Sequence, residues 1–177
     1  MAATSETVAL ELQDIPRFAA VLGVPVPSSW PAPLNDEASQ SWYLDLLERD
    51  PDAAGWALWY LIRHDQQREL VGVAGFKGRP QAGGCEIGYS ILPTYQGHGY
   101  ATEASRELIR RAFTYDDVQR VTAETLPHLI DSIRVMEKAG MRFVGSGHSE
   151  EGQPTVRYAV SRVEYAELGR NLRNRCR

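Results

Sequence analysis

The stretch "ILPTYQGHGYATEA", residues 91–104, constrains the fold of this chain more than any other part of it. It runs from the apolar end of a predicted strand, through Gly97 and Gly99, into a predicted helix. A helix start carries about four backbone N–H groups without partners in the helix, and aligned peptide dipoles add roughly half a positive charge. The two glycines and the small Ala101 leave these N–H groups uncovered. The stretch therefore predicts a pyrophosphate cradle, with a plain turn as the alternative.

Two well-known phosphate-binding loops do not fit this stretch. The nucleoside-triphosphatase loop places Lys and then Ser or Thr after its last glycine, whereas Tyr100 and Ala101 follow Gly99 here. The dinucleotide fingerprint has a third small residue where Thr102 stands, and it opens a βαβ unit. Three antiparallel-looking segments precede this turn instead, so the anion belongs to another class of ligand.

The hydrophobic periodicity around the turn predicts a mixed fold. Short aromatic and β-branched segments alternate with polar turns, which favours strands, and longer segments with apolar residues at helical spacing favour helices. An N-terminal strand is expected first, followed by two helices that are joined by the Pro-rich loop "VPVPSSWPAPL". Three strands, the helix from about Tyr100 to Tyr115, a strand, a helix and a closing hairpin come next. This order predicts one α+β (mixed α/β) domain, in which about four helices flank a mostly antiparallel twisted sheet of six to seven strands.

Composition and charge exclude several classes of protein. A chain of 177 residues with 43% apolar and 24% charged residues suits a single globular domain. The formal charge of −4 argues against a nucleic-acid partner, and no apolar run approaches the roughly 20 residues of a membrane span. Cys85 and Cys176 form neither a disulfide framework nor a metal pattern, so no metal is expected. No signal peptide is apparent, and the predicted location is the cytoplasm.

A family resemblance identifies the expected anion. The pattern Gln-x-x-Gly-x-Ala occurs as Gln96, Gly99 and Ala101, with "GCEIGYSILPTYQGHGYATEA" containing it and "SIRVMEKAGMRFVG" behind it. From about residue 56 to residue 160, the chain resembles the GNAT superfamily of acetyl-coenzyme A-dependent N-acetyltransferases. It is most similar to the ribosomal-protein N-terminal acetyltransferase branch.

This resemblance implies a division of labour along one domain, residues 1–177. Residues 1–55 would form the N-terminal strand and the helices that cover the acceptor site. Residues 56–161 would form the coenzyme A-binding core, in a sheet that splays near its middle, and residues 162–177 a C-terminal helix and tail. A homodimer is one expectation for the oligomeric state, which the sequence leaves open.

The resemblance also assigns the residues that would hold acetyl-coenzyme A, the acetyl donor. The backbone of Ile91 would lie along the thioester region, by analogy with strand addition at a sheet edge. The main chain from Gln96 to Thr102 would hold the pyrophosphate. That segment comprises Gln96, Gly97, His98, Gly99, Tyr100, Ala101 and Thr102. His98 is expected to be an exposed, minor contact.

Attack by an amine needs a base, because an amine with a pKa near 8 to 10 is mostly protonated at pH 7. On the alternating strand "CEIGYSI", Glu86 shares a polar face with Gly88 and Ser90, and family members often carry a carboxylate there. Glu86 is therefore the predicted base, and pairing with a neighbouring charge is the alternative. Glu103, at the start of the predicted helix, is explained by the helix dipole.

The departing thiolate needs a hydrogen-bond donor. Where many relatives have a tyrosine, this chain has Met136, which cannot donate. Ser132 lies four residues earlier on the same helical face and is the predicted donor, with a helix N-cap as its alternative role. Leu129 replaces the asparagine that is usual in the family, and Asp131 or His128 is a candidate to compensate for it.

The acceptor is expected to be a primary amine, either a protein N-terminus or a small molecule. In the family it enters between the Pro-rich loop, which carries Trp30, and the last hairpin, which carries Glu150 and Glu151. A second class of function remains open, namely a non-catalytic acyl-coenzyme A sensor. Leu129 favours the sensor, whereas Glu86 together with Ser132 favours the enzyme.

Overall fold

A computed structural model describes residues 1–64, 66, 68–149 and 152–175 of the protein. Within these residues the chain forms six α-helices and six strands. The helices are α1 (Ser5–Gln13), α2 (Ile15–Leu22), α3 (Glu37–Arg49), α4 (Tyr100–Ala112), α5 (Ile130–Lys138) and α6 (Arg162–Arg175). The strands are β1 (Leu58–Ile62), β2 (Leu70–Phe76), β3 (Gly84–Ile91), β4 (Arg120–Thr125), β5 (Arg142–His148) and β6 (Pro154–Ser161).

The strands form one sheet in the order β1-β2-β3-β4-β6-β5. The β1–β2, β4–β6 and β5–β6 pairs are antiparallel, and the β3–β4 pair is parallel. The predicted α+β class and the mostly antiparallel sheet are therefore confirmed. More helices are present than the four expected.

The chain divides into two compact units. One comprises residues 1–79 and 89–104, and the other comprises residues 80–88 and those from 105 onward. The first unit contains helices α1 to α3, the β1–β2 hairpin, the end of β3 and the start of α4. The second contains the start of β3, the rest of α4, and β4 to α6.

The predicted N-terminal strand is wrong, because residues 5–13 form helix α1. Thr4 and Thr7 make a reciprocal capping box: the Thr4 hydroxyl accepts from the Thr7 N–H at 3.2 Å, and the Thr7 hydroxyl accepts from the Thr4 N–H at 2.8 Å. These bonds satisfy two N–H groups at the helix start. Before the helix, residues 1–3 pair with β1 through an isolated antiparallel bridge between Ala2 and Trp59, with the Ala3 N–H donating to the Leu58 carbonyl at 2.8 Å.

The two predicted helices before and after the Pro-rich loop are confirmed as α2 and α3, and each has a cap. Helix α2 ends at Gly23, whose φ of 67° is left-handed, and Asp36 caps α3 by accepting from the Ser39 N–H at 2.9 Å. Trp42 of α3 is 47% exposed and packs edge-to-face on Tyr43. The buried face of α3 is centred on Tyr43 and Leu47, and Trp42 lies at its margin.

Candidate functional site

The turn between β3 and α4 has the backbone that the sequence predicts. Gly97 has a φ of 78° and Gly99 a φ of 89°, so both residues lie in the left-handed region that favours glycine. A Cβ atom added at either position would meet no atom within 4 Å. Glycine is therefore needed for the shape of the turn, and the space beside its backbone is open to a ligand.

Helix α4 starts directly after these glycines. Its hydrogen-bond ladder begins with the Glu103 N–H, which donates to the Gly99 carbonyl at 3.0 Å. The N–H groups of Tyr100 and Thr102 precede this ladder and have no acceptor within the helix. The positive end of the helix dipole coincides with this first turn. The arrangement suits an anion that approaches main-chain N–H groups.

The side chain of Gln96 ties the turn to the end of β3. Its Nε2 donates to the carbonyl of Ile91 at 3.0 Å, which links the two predicted ends of the binding segment. The Nδ1 of His98 lies 2.8 Å from the carbonyl of Gln96, and because a carbonyl only accepts, Nδ1 is the donor. The His98 ring is exposed and stacks on Tyr100, with 6.0 Å between the ring centroids.

A charged cluster that the sequence did not predict supports the residues before the turn. Arg63 pairs with Glu69 at 2.9 Å across the β1–β2 hairpin, and its guanidinium carbon lies 6.0 Å from the centre of the Tyr95 ring. Desolvation raises the pKa of Tyr95, and a hydrogen bond with Glu69 adds to the effect. The sequence signal for this pair is the opposite charge of Arg63 and Glu69, which stand at the facing ends of two consecutive predicted strands.

Strand β3 presents Glu86 on the face that the alternation predicts. Cys85 and Ile87 point into the core, at 7% and 2% exposure, whereas Glu86 is half-buried on the other face. A Cβ atom at Gly88, on the same face as Glu86, would meet nothing within 4 Å. Burial raises the pKa of the Cys85 thiol to about 12, which suits a core residue rather than a nucleophile.

The pairing of β3 with β4 is short. Among the described residues it covers Gly84, Cys85 and Glu86, with Glu86 opposite Thr122, although β3 continues to Ile91 and β4 to Thr125. This register fits a strand that diverges from its neighbour, as the resemblance implies.

Ser132 is the third residue of helix α5, not its cap. The N-cap position is Leu129, which provides no side-chain hydrogen bond, so the N-cap alternative for Ser132 is wrong. Ser132 is half-buried, one turn before the fully buried Met136. The Asp131 carboxylate accepts from Arg134 at 3.2 Å and does not cap the helix.

The loop between α2 and α3, residues 24–36, is fixed by a buried carboxylate. Glu11 of α1 is 4% exposed, and its two oxygens accept four hydrogen bonds. The donors are Trp30 Nε1 (3.0 Å), Asn35 Nδ2 (2.9 Å) and Gln40 Nε2 (2.9 Å) to Oε1, and the Tyr60 hydroxyl (2.7 Å) to Oε2. Desolvation raises the pKa of Glu11, while these hydrogen bonds oppose the shift. Trp30 also packs against the rings of Phe18 and Tyr60 and is therefore mainly structural.

Glu150 and Glu151, on the acceptor side, and Cys176 lie outside the described residues. In the part of the chain that the structure describes, no group of three or more His, Cys, Asp or Glu side chains is placed to hold a metal ion. None of the described helices has the length and apolarity to cross a membrane.

Part of this sequence is similar to known acetyltransferases. The sequence profile of the acetyltransferase (GNAT) domain matches residues 8–142. The uncharacterized N-acetyltransferase YnaD of Bacillus subtilis is 42% identical over 60 residues, which are 34% of this chain and 35% of YnaD. The ribosomal protein uS5 alanine N-acetyltransferase of Escherichia coli is 32% identical over 76 residues, 42% of this chain and 39% of that protein. The matches thus span well under half the length of either relative.

A solved structure has a similar fold over nearly its whole length. The aminoglycoside acetyltransferase AAC(6′)-Ib, crystallised with coenzyme A, superposes with a TM-score of 0.60 at 20% sequence identity. The superposition covers 94% of this chain and 96% of that chain. At this identity the likeness shows the fold alone.

Proposed function

This chain belongs to the GNAT acetyltransferase domain family, and we propose that it transfers an acetyl group from acetyl-coenzyme A to a primary amine. The observation that carries the proposal is the turn at Gly97 and Gly99. Its left-handed glycines leave open space beside the backbone, directly before the first turn of α4. The main chain from Gln96 to Thr102 binds the diphosphate, and the Ile91 backbone lies along the thioester region.

The residues of the turn fit this ligand by their chemistry. A diphosphate is an anion that accepts several hydrogen bonds, and the start of α4 offers N–H groups with no acceptor in the helix, together with the positive end of the dipole. The Gln96–Ile91 hydrogen bond holds the two binding stretches in a fixed relation. The cradle therefore requires little rearrangement when the ligand binds.

The reaction proceeds by direct attack within a ternary complex. The nitrogen of the neutral amine forms a bond to the thioester carbon, the C–S bond breaks, and its electron pair leaves with sulfur. The nitrogen loses one proton to a base, and the sulfur gains one. Glu86 is the proposed base, directly or through a water molecule; its half-buried position on the same face as Gly88, where an added Cβ atom would meet nothing within 4 Å, supports this role. Ser132 is the proposed donor to the departing sulfur, because a hydroxyl can donate a hydrogen bond and the Met136 side chain, one turn later on the same face of α5, cannot.

The test is release of free thiol when the protein is mixed with acetyl-coenzyme A and a panel of primary amines. Glu86→Gln is expected to slow turnover and to alter the pH–rate profile, while calorimetry gives a nearly unchanged dissociation constant for acetyl-coenzyme A. The matched control is Glu103→Gln at the exposed start of α4, which keeps the wild-type profile. A Glu86→Gln profile identical to that of the wild type would remove Glu86 from the mechanism.

A non-catalytic acyl-coenzyme A sensor is the second candidate. It is favoured by Leu129, which occupies the N-cap of α5 without a side-chain hydrogen bond where the family usually has asparagine. Tight calorimetric binding with no thiol released from any amine would favour the sensor over the enzyme.

A further inference from the structure

One residue of the α2–α3 loop adopts a backbone conformation that its side chain disfavours. Residues 32–35 form a β-turn, which is closed by the Asn35 N–H donating to the Ala32 carbonyl at 3.0 Å. Pro33 is second in the turn and Leu34 third, with a φ of 64° at Leu34. This is the pattern of a type II turn, whose third residue has positive φ and is usually Gly or Asn. Leucine has no local reason to occupy that position.

Burial in the hydrophobic core does not offset this backbone strain either. Leu34 is 75% exposed, whereas the core residues Leu58, Leu70 and Leu92 are at most 2% exposed. An exposed leucine alone is ordinary, but an exposed leucine in a strained conformation is not. The protein therefore holds an apolar side chain outward at a cost in backbone energy.

Both neighbours of Leu34 are firmly held, which keeps the residue in place. The Pro33 carbonyl accepts a hydrogen bond from the Ser90 hydroxyl of β3. Asn35 is 1% exposed, and its side chain donates to the buried Glu11 carboxylate. The strain at Leu34 is thus imposed from both sides, as is typical of residues that serve a binding site.

The contact with Ser90 places the turn beside the proposed acetyl-binding strand. Ser90 immediately precedes Ile91, whose backbone is the proposed neighbour of the thioester. The acceptor amine must reach that same thioester carbon. Leu34 directly follows Pro33, whose carbonyl accepts from Ser90, so the turn that carries the exposed Leu34 side chain adjoins the strand at which the acceptor amine must arrive.

We propose that Leu34 is a specificity-determining residue that contacts an apolar substituent of the acceptor, next to the reacting amine. The proposal rests on the acetyltransferase function proposed above and narrows its substrate class. The preferred acceptor is a primary amine whose neighbouring carbon carries an aliphatic or aromatic group, rather than a polycation. Such an amine belongs either to a small molecule or to a peptide with an apolar first residue.

The experiment compares kcat/KM for matched acceptors with the full-length protein. One arm uses linear alkylamines of increasing length with spermidine as the polycation, and the other uses tripeptides that differ only in a first residue of Gly, Ala, Leu or Phe. The wild type is expected to prefer the longer alkylamines, or the tripeptides with Leu or Phe. The arm with the larger preference identifies the source of the amine.

The variants separate specificity from stability. Leu34→Gly and Leu34→Asn fit the positive φ of the turn and raise the melting temperature. They reduce the preference in kcat/KM for the longer alkylamine over the shorter one, or for the Leu or Phe tripeptide over the Gly tripeptide, by roughly tenfold. Leu34→Met retains an apolar side chain and therefore keeps the wild-type preference. The matched control is Ala82→Gly, at another exposed non-glycine residue with positive φ (48°), which relieves strain and leaves the preference unchanged.

Two failures are distinguishable. Absence of turnover by the wild type with every amine refutes the proposed function itself. Turnover with the same preference in wild type, Leu34→Gly and Leu34→Asn, or a wild-type preference for spermidine, refutes the role of Leu34 and leaves the acetyltransferase function standing.

Discussion

At the scale of single residues, the Glu11 carboxylate connects α1 to three other parts of the first unit by hydrogen bonds. It is buried, and the four donors that bond to it come from the α2–α3 loop, α3 and β1. All four of these donors are neutral, so hydrogen bonds rather than an ion pair offset the cost of burying the carboxylate. Removal of the acceptor would leave several buried donors without a partner.

Truncation of Glu11 is therefore expected to be severe. Glu11→Ala should lower the free energy of unfolding by about 3–5 kcal/mol, because each unsatisfied buried donor costs about 1–3 kcal/mol. Glu11→Gln keeps one oxygen for the three N–H donors, and the Tyr60 hydroxyl can rotate to accept from the new amide, so its loss should be about 1 kcal/mol. Urea denaturation measures both variants. Equal losses for Ala and Gln would contradict the hydrogen-bond account.

The raised pKa of Glu11 also predicts the sign of a pH dependence. The folded protein binds a proton at Glu11 more readily than the unfolded chain does, whose value is near 4.5. The stability linked to this proton is present below pH 4.5 and is lost as the pH rises through the folded pKa. The difference in unfolding free energy between wild type and Glu11→Gln should therefore favour the wild type more at pH 4.5 than at pH 8. A difference that moves in the opposite direction would mean that the pKa is lowered.

Sequence reasoning predicted the glycines of the turn but not Glu11. Gly97 and Gly99 show their role locally, since few residues other than glycine fit a left-handed turn before a helix. The role of Glu11 depends on hydrogen bonds from Trp30, Asn35, Gln40 and Tyr60. These residues are distant from it in sequence, and the fold brings them together. The same reasoning applies to Leu34, whose turn is recognisable only from its φ angle and hydrogen bond.

At the scale of elements, helix α1 shows why the N-terminal prediction failed. Its buried residues are Thr7, Val8, Leu10 and Glu11, which have helical spacing, but two of the four are polar. A hydrophobicity pattern therefore misses the buried face. The Thr4–Thr7 capping box has Thr where the usual motif has Glu or Gln, which weakens that signal too. Elsewhere, in α2, α3 and the paired strands β1 and β2, apolar side chains form most of the buried face, and these elements occur in the predicted order.

The C-terminal end of α4 is held by an arginine from the start of α6. Arg162 donates to the carbonyls of Phe113, Tyr115 and Val118, and its guanidinium carbon lies 5.3 Å from the centre of the Phe113 ring. These bonds satisfy carbonyls that follow the end of α4 at Ala112, which comes before the predicted end near Tyr115.

Loss of this clamp is expected to destabilise the second unit. Arg162→Ala should lower the free energy of unfolding by about 2–4 kcal/mol, since hydrogen bonds to a charged group contribute about 1.5–3 kcal/mol each and are not additive. Arg162→Lys should recover only part of this loss, because an ammonium cannot reproduce the planar fork of the guanidinium. Arg142→Ala is the control, since its pairing with Glu164 at 3.6 Å is largely exposed and should contribute less than about 1 kcal/mol. Similar losses for Arg162→Ala and Arg142→Ala would contradict the clamp.

At the scale of the whole molecule, the family was predictable and the acceptor was not. The strand–turn–helix that we propose as the donor-binding segment is a continuous stretch, residues 91–104, which the sequence alone identifies. The acceptor side depends on segments far apart in the chain, among them the α2–α3 loop and a last hairpin whose Glu150 and Glu151 lie outside the described residues. Partial coverage of the curated relatives leaves the acceptor to be found by experiment.

The central claim is that main-chain N–H groups at the start of α4 bind the diphosphate of coenzyme A. The most direct test is the dissociation constant of acetyl-coenzyme A, measured by calorimetry for the wild type, for the double variant Gly97→Ala/Gly99→Ala, and for the control Gly23→Ala. Gly23 also has a positive φ and open space around it, but it lies at the end of α2. We expect the double variant to bind at least about tenfold more weakly, because methyl groups and left-handed strain disturb the cradle, and the control to bind as the wild type does. An unchanged dissociation constant in the double variant would contradict the account.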